Sequence, residues 1–339
     1  MHRFIPTLAI LLTSALSAPA QTLALPTDNR SLFDAPPQFF QFVDRNFEGE
    51  KSTPWEGGQF GFVRDPRRIG RSIAYARFHE GLDIKPVHRD PRGNPQDEVR
   101  AIADGTVAYV TAASNQSNYG RYVVIRHDWG GSPFYSLYAH LASAGVSSGQ
   151  RVQAGTPLGI LGYTGAGIDQ RRAHVHVELN LFLSSRFESW HGANFTTPNH
   201  HGVFNGLNLI GLDLQALYLA QQKNPAVTAA GAVRSTESGY RVAVPGDADM
   251  EIVKNYPWLL DDPRPADRPA SWEVTFSRWG LPLAVKASDM VVSQPVVTWV
   301  KDSGIPHYTY TRSIVTGSGS TGKLTAEGLR FVKLVCGWF

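Results

Sequence analysis

The chain has one cysteine among its 339 residues, so no disulfide can form within it. A disulfide framework and a zinc site built from several thiolates are therefore both excluded. Beyond the N-terminus, no run reaches the roughly 18 to 20 continuous apolar residues that a membrane-spanning helix requires. Long blocks of lysine and arginine are also missing, and a formal net charge of +3 does not favour a nucleic-acid partner. Cys336 itself, in the apolar ending FVKLVCGWF, is expected to be a packed core thiol.

The N-terminus has the pattern of a secretory signal peptide. A basic start, MHR, is followed by the apolar run FIPTLAILLTSAL and then by Ala18-Pro19-Ala20, a small-residue cleavage site before Gln21. The apolar run is too short to cross a membrane. We therefore predict a signal peptide over residues 1–20 and an exported protein in the periplasm, the cell envelope or the extracellular medium.

Residues 71–190 are predicted to form a mainly β domain. Short apolar alternations such as TVAYVTA, RYVVIRH and FYSLYAHL recur between glycine turns, which is typical of antiparallel sheets and barrels. The preceding segment, 21–70, is rich in proline, glycine and aromatic residues. We expect it to be an extended lead-in that wraps the β domain.

The rest of the chain is predicted to be a connector and a second β-rich module of unknown role. The connector, residues 191–231, contains the clearest helical stretch, GLDLQALYLAQQK. The module, residues 232–339, has strand-like segments such as YRVAVP, SWEVTFSRWG and HYTYTRSIVTG, and a short helix is expected in LTAEGLRFVKLV. The apolar positions predicted for the connector helix are Leu212, Ala216, Leu219 and Ala220.

The stretch AHVHVELN puts three polar side chains on one face of a predicted strand. Because successive side chains of a strand point to opposite faces, His174, His176 and Glu178 share one side and the apolar residues between them share the other. A half-buried strand alternates in this way without any chemical purpose. Whether the histidines act chemically therefore depends on partners elsewhere in the chain.

Such partners occur in FHEGLDIKP, where His79 and Asp83 are four residues apart. Gly81 between them and Pro86 after them argue against a helix, so a strand with a bend is expected to aim both side chains at one point. Imidazole and carboxylate both suit Zn²⁺, and a third ligand from HVHVELN would leave one position open for water, as in catalytic zinc sites. His140, at the end of the strand SLYAHL, is a further acid/base or hydrogen-bonding candidate.

These motifs together resemble the lysostaphin-type or LytM-like zinc metallopeptidases, which cut peptide bonds in bacterial peptidoglycan. The matching pieces are an H-x-x-x-D motif at 79–83, LYAHL around His140, and an H-x-H motif at 174–176, in the family's order and at similar intervals. The glycine-rich segments DGTVAYV and GQRVQAGTPLGILGYTG between them are similar as well. The resemblance covers about residues 78–182, and three motifs together are far more specific than any one of them.

The resemblance implies an antiparallel β fold with a groove, a Zn²⁺ ion and a division of labour among the histidines. His79, Asp83 and His176 are implied as the zinc ligands. His174 and His140 match the two histidines beside the metal that are not ligands. We expect His174 to be the general base and His140 to stabilise the oxyanion, although the exchanged assignment is open. We expect Glu178 to orient a ligand imidazole rather than to bind the metal.

The approach to the H-x-H motif departs from the family's pattern. The family often has small residues, Ser or Thr, and Gly-Pro at this point, whereas this chain has GAGIDQRRAHVHVEL, with Asp169 and the pair Arg171 and Arg172 just ahead of the site. The two arginines either meet a substrate carboxylate, which a guanidinium fork suits, or lie on a solvated loop. This departure leaves the substrate preference open.

The function predicted from the sequence is an exported zinc metalloendopeptidase that hydrolyses peptide bonds of peptidoglycan. Its partners would be peptidoglycan peptides and, through residues 232–339, a wall component or a protein. One alternative is a non-catalytic relative that binds and regulates a cell-wall hydrolase. Turns such as DGTVAYV also resemble those of biotinyl and lipoyl carrier modules. Such a carrier needs an exposed lysine at a hairpin tip, and this chain has none between the segments that resemble those turns. His127 is expected to be structural, and the doublet in NHHG is not expected to bind metal because adjacent side chains point apart.

Overall fold

The computed structural model describes residues 22–261 and 269–339. The predicted signal peptide, residues 1–20, lies outside the described residues, so it stays a prediction. Within the described ranges, none of the helices has the length and apolar character needed to cross a bilayer.

The N-terminal segment contributes a short helix and two hairpins, and the second hairpin leads directly into the site. Its elements are α1 Pro36–Phe39, β1 Arg45–Phe47, β2 Glu50–Ser52, β3 Gly61–Ile69 and β4 Ser72–His79. The predicted boundary at residue 70 falls within the hairpin that joins β3 to β4, and the one at residue 190 falls within a helix, α2 Phe187–Asn194. The division into domains stays a prediction; the bound at 70 lies in the turn of one hairpin, and the bound at 190 lies inside a helix.

An antiparallel sheet forms the centre of the molecule, which confirms the predicted mainly β fold. A separate, smaller sheet is formed by three strands from the same part of the chain. The strands of both sheets are β5 Leu82–Ile84, β6 Glu98–Arg100, β7 Gly105–Thr111, β8 Tyr122–Trp129, β9 Ser132–Ala139, β10 Ser143–Ala144, β11 Arg151–Val152, β12 Pro157–Ile160, β13 Val175–Phe182 and β14 Leu209–Gly211. The central sheet has the order β11-β7-β8-β9-β13-β14, with β5 also paired to β13, and the smaller sheet has the order β10-β12-β6.

Strand β13 is buried along its whole length, because both faces of the sheet are covered there. Val175 and the apolar residues in phase with it pack in the main hydrophobic core. The opposite face has a second cluster around Tyr122, Leu137 and Phe182. Polar side chains of β13 on that second face are therefore largely shielded from solvent.

The C-terminal region has an antiparallel sheet of its own and a separate hairpin. Its elements, with the helices that lead into it, are α3 Leu214–Lys223, α4 Ala229–Arg234, β15 Tyr240–Pro245, α5 Glu251–Asn255, β16 Ser271–Phe276, β17 Pro282–Ser288, β18 Val296–Val300, α6 His307–Tyr310, β19 Val315–Ser318, β20 Thr321–Leu324 and α7 Ala326–Cys336. The sheet has the order β17-β16-β15-β18, and β19 pairs with β20. This region shares a hydrophobic core cluster with the central sheet, and Tyr256 Oη accepts a hydrogen bond from Phe182 N at 2.8 Å. Cys336 is fully buried in that cluster, as expected, and burial raises the pKa of its thiol to about 12.

Two local predictions were wrong. HYTYTRSIVTG is a turn of helix α6, a loop and then β19, because Arg312 and Ser313 adopt left-handed backbone angles that a strand cannot contain. In α3 the helix was predicted correctly but its buried face was not. The buried positions are Leu214, Leu217, Tyr218 and Gln221, because the surrounding core packs against that face, and Leu212 is buried but precedes the helix.

Candidate metal centre

Three strands bring the H-x-x-x-D and H-x-H motifs together. His79 is the last residue of β4, Asp83 is the middle residue of β5, and His176 lies directly opposite Asp83 in the β5–β13 pairing. Gly81 makes this approach possible, because a Cβ there would lie 2.5 Å from Val177 O and 2.9 Å from His176 Nε2. The bend predicted between the two motif residues is therefore a place where only a glycine fits.

The donor atoms of the three side chains form a small triangle. His79 Nε2 lies 3.0 Å from His176 Nδ1, Asp83 Oδ1 lies 3.0 Å from His79 Nε2, and it lies 2.9 Å from His176 Nδ1. All three residues are buried, with exposed fractions of 3%, 3% and 6%. Ligands held at about 2.0 to 2.1 Å around a tetrahedral Zn²⁺ lie about 3.3 Å from one another. The size of the triangle therefore suits a shared metal ion.

The outer atoms of the same side chains are already engaged, which decides what the triangle can bind. His79 Nδ1 donates to Gln59 O at 2.7 Å, and His176 Nε2 donates to Glu178 Oε1 at 2.8 Å. The inner ring nitrogens therefore present lone pairs, together with a carboxylate oxygen of Asp83. Three acceptors that point at one another need a cation between them, so the residues fit a divalent metal.

Two further histidines lie beside this triangle and have the same orientation as each other. His174 Nδ1 donates to Arg172 O at 2.6 Å, and His140 Nδ1 donates to Thr164 O at 2.9 Å, so Nε2 is the nitrogen of each ring that is left without a backbone partner. The two rings are 4.8 Å apart, and His174 Nε2 lies 3.3 Å from Asp83 Oδ1. His140 has a left-handed backbone with φ 64°, an uncommon conformation that often marks functional positions.

Burial and charge set the protonation of the cluster. Burial opposes a charge on His176, but its hydrogen bonds to Asp83 and Glu178 outweigh this and raise its pKa to about 10. Burial, followed by the neighbouring His174 and His176, lowers the pKa of His140 well below its usual range. Burial likewise lowers the pKa of His79. In the metal-free protein at neutral pH, His176 therefore holds the proton that balances the carboxylates.

We expect the free energy of unfolding of the metal-free protein to fall as the pH rises from about 7 to 10. A histidine whose folded pKa is about 10, against 6.5 for the free side chain, contributes stability that is complete below about 6.5 and is lost as the pH passes 10. His79 and His140 act in the opposite direction, but their contribution is complete once the pH exceeds about 6.5. Urea unfolding of the chelator-treated protein at several pH values measures the slope. His176→Gln should flatten it, and equal slopes in both proteins would contradict the assignment.

Arg64, which the sequence did not identify as a site residue, contacts the candidate ligand Asp83 on the side away from the other two ligands. Arg64, on β3, places Nη2 2.5 Å from Asp83 Oδ2 and donates from Nε to Gly57 O at 2.8 Å. The β3–β4 pairing shifts register between Phe62 and Arg64, and such a bulge turns a side chain in a new direction. Bulges have no clear sequence signal, so the sequence of the lead-in, residues 21–70, did not indicate that Arg64 contacts a candidate ligand.

The candidate ligands and both other histidines line one cleft of about 1120 Å³. The C-terminal region forms a wall of this cleft, since Trp279 stacks on Phe78 with ring centroids 5.5 Å apart and Arg312 pairs with Glu80. Trp279 Nε1 also donates to Gly211 O at 3.0 Å. Residues beyond 232 therefore help to build the site, which the sequence did not indicate.

The remaining histidines do not form a second metal centre among residues 22–261 and 269–339. His127 is fully buried in β8, donates from Nδ1 to Asp104 O at 2.7 Å and lies 2.8 Å from Ser136 Oγ, in agreement with a structural role. Burial lowers its pKa to about 4. In the NHHG doublet, His201 Nδ1 contacts Tyr109 Oη at 3.0 Å, and His200 lines the cleft.

Comparison with known proteins agrees with the family named by the motifs. Residues 77–185 match the family model of peptidase family M23, so the predicted resemblance is confirmed for this segment. Two curated relatives from Vibrio cholerae serotype O1 match over 115 residues: peptidoglycan DD-endopeptidase ShyA at 33% identity and peptidoglycan DD-endopeptidase ShyC at 35%. Each match covers 34% of this chain, and the chain spans only 23% of the length of either relative.

Among solved structures, the catalytic domain of the antimicrobial peptidase lysostaphin from Staphylococcus simulans is similar. It is 22% identical, and the match covers 35% of this chain and 76% of that chain, with a TM-score of 0.24.

Proposed function

We propose that the segment 77–185, which belongs to peptidase family M23, is the catalytic domain of an exported zinc metalloendopeptidase that hydrolyses peptide bonds of bacterial peptidoglycan. The observation that carries this proposal is the triangle of three inward lone-pair donors on His79, Asp83 and His176. Two similar proteins named as peptidoglycan DD-endopeptidases support the substrate class. The signal-like N-terminus supports export.

In this proposal His79, Asp83 and His176 hold the zinc ion. When bound, zinc polarises a carbonyl and makes water a better nucleophile near neutral pH. Glu178 and Gln59 hold the ligand imidazoles in the required tautomer through their hydrogen bonds. Burial of the cluster excludes bulk water and strengthens each electrostatic contact.

We propose that His140 accepts the proton of the attacking water at Nε2. Burial keeps its ring neutral, so the lone pair on Nε2 is free at neutral pH. His174 Nε2 lies beside the triangle, 3.3 Å from Asp83 Oδ1. With proton acceptance assigned to His140, His174 takes the other role, as hydrogen-bond donor to the developing oxyanion. This is the exchanged form of the assignment expected from the sequence.

The regulatory alternative, a domain that binds a hydrolase without catalysis, has less support. Loss of a metal ligand would favour it, and all three candidate ligands and both accompanying histidines are present and adjacent. A domain that only binds a hydrolase does not require three metal ligands and two further histidines in one cluster.

The direct test is digestion of purified peptidoglycan sacculi by the processed protein. We expect soluble muropeptides to be released with zinc, no release after chelation, and recovery when zinc is returned. Mass spectrometry of the products would identify the bond that is cut. A protein that binds zinc and sacculi but releases nothing would favour the regulatory alternative.

Arg64→Gln is expected to weaken zinc binding by about 10-fold or more, the usual cost of losing an outer partner of a metal ligand. Without the guanidinium, Asp83 Oδ2 loses its charged donor, and the carboxylate is free to rotate away from the triangle. Competition titration with a chromophoric zinc chelator measures the affinity. Arg67→Gln is the matched control, because Arg67 is on the same strand but pairs with Asp65 at the surface. Unchanged affinity in Arg64→Gln would remove Arg64 from the site.

A further inference from the structure

The adjacent arginines ahead of the H-x-H motif have very different surroundings. Arg171 Nη2 lies 2.6 Å from Asp44 Oδ2, and its guanidinium lies 5.0 Å from the centre of the Phe42 ring. Arg172 lines the cleft that holds the candidate ligands. Among residues 22–261 and 269–339, no carboxylate lies within salt-bridge distance of Arg172. Of the two, Arg172 is therefore the one available to a ligand in the cleft.

The guanidinium of Arg172 is poorly satisfied by the protein itself. Its Nε is shielded from solvent and has no hydrogen-bond partner among the described residues. Nη1 makes one long hydrogen bond, to Gly167 O at 3.3 Å. Nη2 makes no hydrogen bond with the described residues and, unlike Nε, is not shielded from solvent, so a carboxylate in the cleft can reach it and accept a charge-assisted hydrogen bond from it. The unsatisfied edge of Arg172 thus has the chemistry of a carboxylate site.

The backbone of Arg172 is fixed next to the catalytic histidines. Its N donates to Asp169 Oδ1 at 2.9 Å, and its O accepts from His174 Nδ1 at 2.6 Å. The Arg172 side chain is therefore carried by a backbone segment that is hydrogen-bonded to the His174 ring. A carboxylate bound to Arg172 would belong to a residue close to the scissile bond.

Other polar groups in the cleft support this assignment. Arg64 and Arg312 also line it, but they are neutralised by Asp83 and Glu80. Arg77 also lines the cleft and has no carboxylate partner among the described residues, but it lies exposed on β4 and, unlike Arg172, is not hydrogen-bonded to His174. Ser117 lines the cleft too, and its hydroxyl oxygen is shielded from solvent without a hydrogen-bond partner within the residues that the structure describes.

We propose that Arg172 binds a free carboxylate of the peptide substrate, on a residue next to the bond that is cut. The inference rests on the proposed peptidase function and narrows its substrate class to peptides that are anionic beside the scissile bond. This contact has the same strength in the bound substrate and in the transition state. Its loss therefore raises KM with little change in kcat.

The test compares one peptide in two forms. The probe is a cross-linked muropeptide dimer released from peptidoglycan, used as it is and after its carboxylates have been converted to carboxamides. The zinc-loaded wild type should show a kcat/KM at least about ten-fold higher for the carboxylate form, as expected for a charge-assisted contact. Arg172→Gln should reduce that ratio to about one, mainly through KM, and Arg172→Lys should recover some of it because it keeps the charge but not the fork. Arg171→Gln is the matched control and should keep the wild-type ratio.

A binding measurement separates failure of this inference from failure of the proposed function. Calorimetric titration of both forms into the wild type and Arg172→Gln does not require turnover. If the wild type cleaves both forms equally, or if Arg172→Gln keeps the preference for the carboxylate form in cleavage or in binding, the inference is wrong while the peptidase stands. If nothing is cleaved but the carboxylate form binds more tightly and only through Arg172, the carboxylate site stands and the peptidase function fails.

Discussion

His79→Ala is expected to lose bound zinc and peptidoglycan hydrolysis together. His79 Nε2 supplies one of three donors, each 2.9 to 3.0 Å from the next, and two donors cannot hold the ion in a tetrahedral site with one open position. Because the metal contributes several kcal/mol to stabilising the transition state, hydrolysis should fall by about 10³-fold or more. Zinc content by elemental analysis and release of soluble muropeptides from sacculi measure the two effects in the same preparation.

The control for His79→Ala is His88→Ala, which removes an exposed imidazole from a loop outside the cleft. It should keep both zinc and activity. The His79 variant also leaves Gln59 O without its donor, which costs about 1–3 kcal/mol of stability, so circular dichroism must show that the variant is folded. A folded His79→Ala protein that releases muropeptides at the wild-type rate without zinc would falsify the metallopeptidase proposal.

His140→Ala is expected to keep zinc and to lose about 10²- to 10⁴-fold in kcat, the usual contribution of a positioned acid or base. His140 is not one of the three donors, and its Nδ1 is engaged by Thr164 O, so its removal leaves the triangle intact. The two variants therefore separate metal binding from proton transfer: His79→Ala loses both properties, and His140→Ala loses only the chemistry.

The backbone at position 140 requires a second variant. Its φ of 64° is left-handed, which costs alanine roughly 1–2 kcal/mol, whereas asparagine adopts it more readily. His140→Asn should therefore fold at least as well as His140→Ala and still lack the imidazole. We expect equal losses of kcat in the two variants. Near-wild-type turnover in a zinc-loaded His140→Asn protein would show that His140 takes no role in proton transfer.

The sequence was most informative where a short motif is tied to strand geometry. The alternation in AHVHVELN predicts that His174, His176 and Glu178 share a face; in the structure His174 directly precedes β13, and within β13 His176 Nε2 donates to Glu178 Oε1. The bend at Gly81 is also predicted from local residue types, a glycine followed by Pro86. These features depend on backbone periodicity and on the size of one residue, both of which are visible in the sequence.

The sequence was least informative where a contact joins distant segments. Arg64 reaches Asp83 through a bulge, and Trp279 reaches Phe78 from the far end of the chain, a separation that no local pattern encodes. The face of α3 was misassigned for the same reason, since Leu212 and Ala216 fit an apolar stripe but the surrounding core selected Leu214 and Leu217.

By itself, the sequence determined which donor types are available to the site: imidazole and carboxylate side chains that suit a metal ion or a proton, and no cluster of thiolates. Only the tertiary structure decided how those groups are supported and what reaches them. It turned the inner nitrogens of His79 and His176 toward Asp83, it set Arg171 against Asp44 and left Arg172 without a carboxylate, and it placed the C-terminal region along the cleft as a wall. The physical reason is that donor type is a property of a residue, whereas burial, charge balance and hydrogen-bond partners are properties of what the fold packs around it.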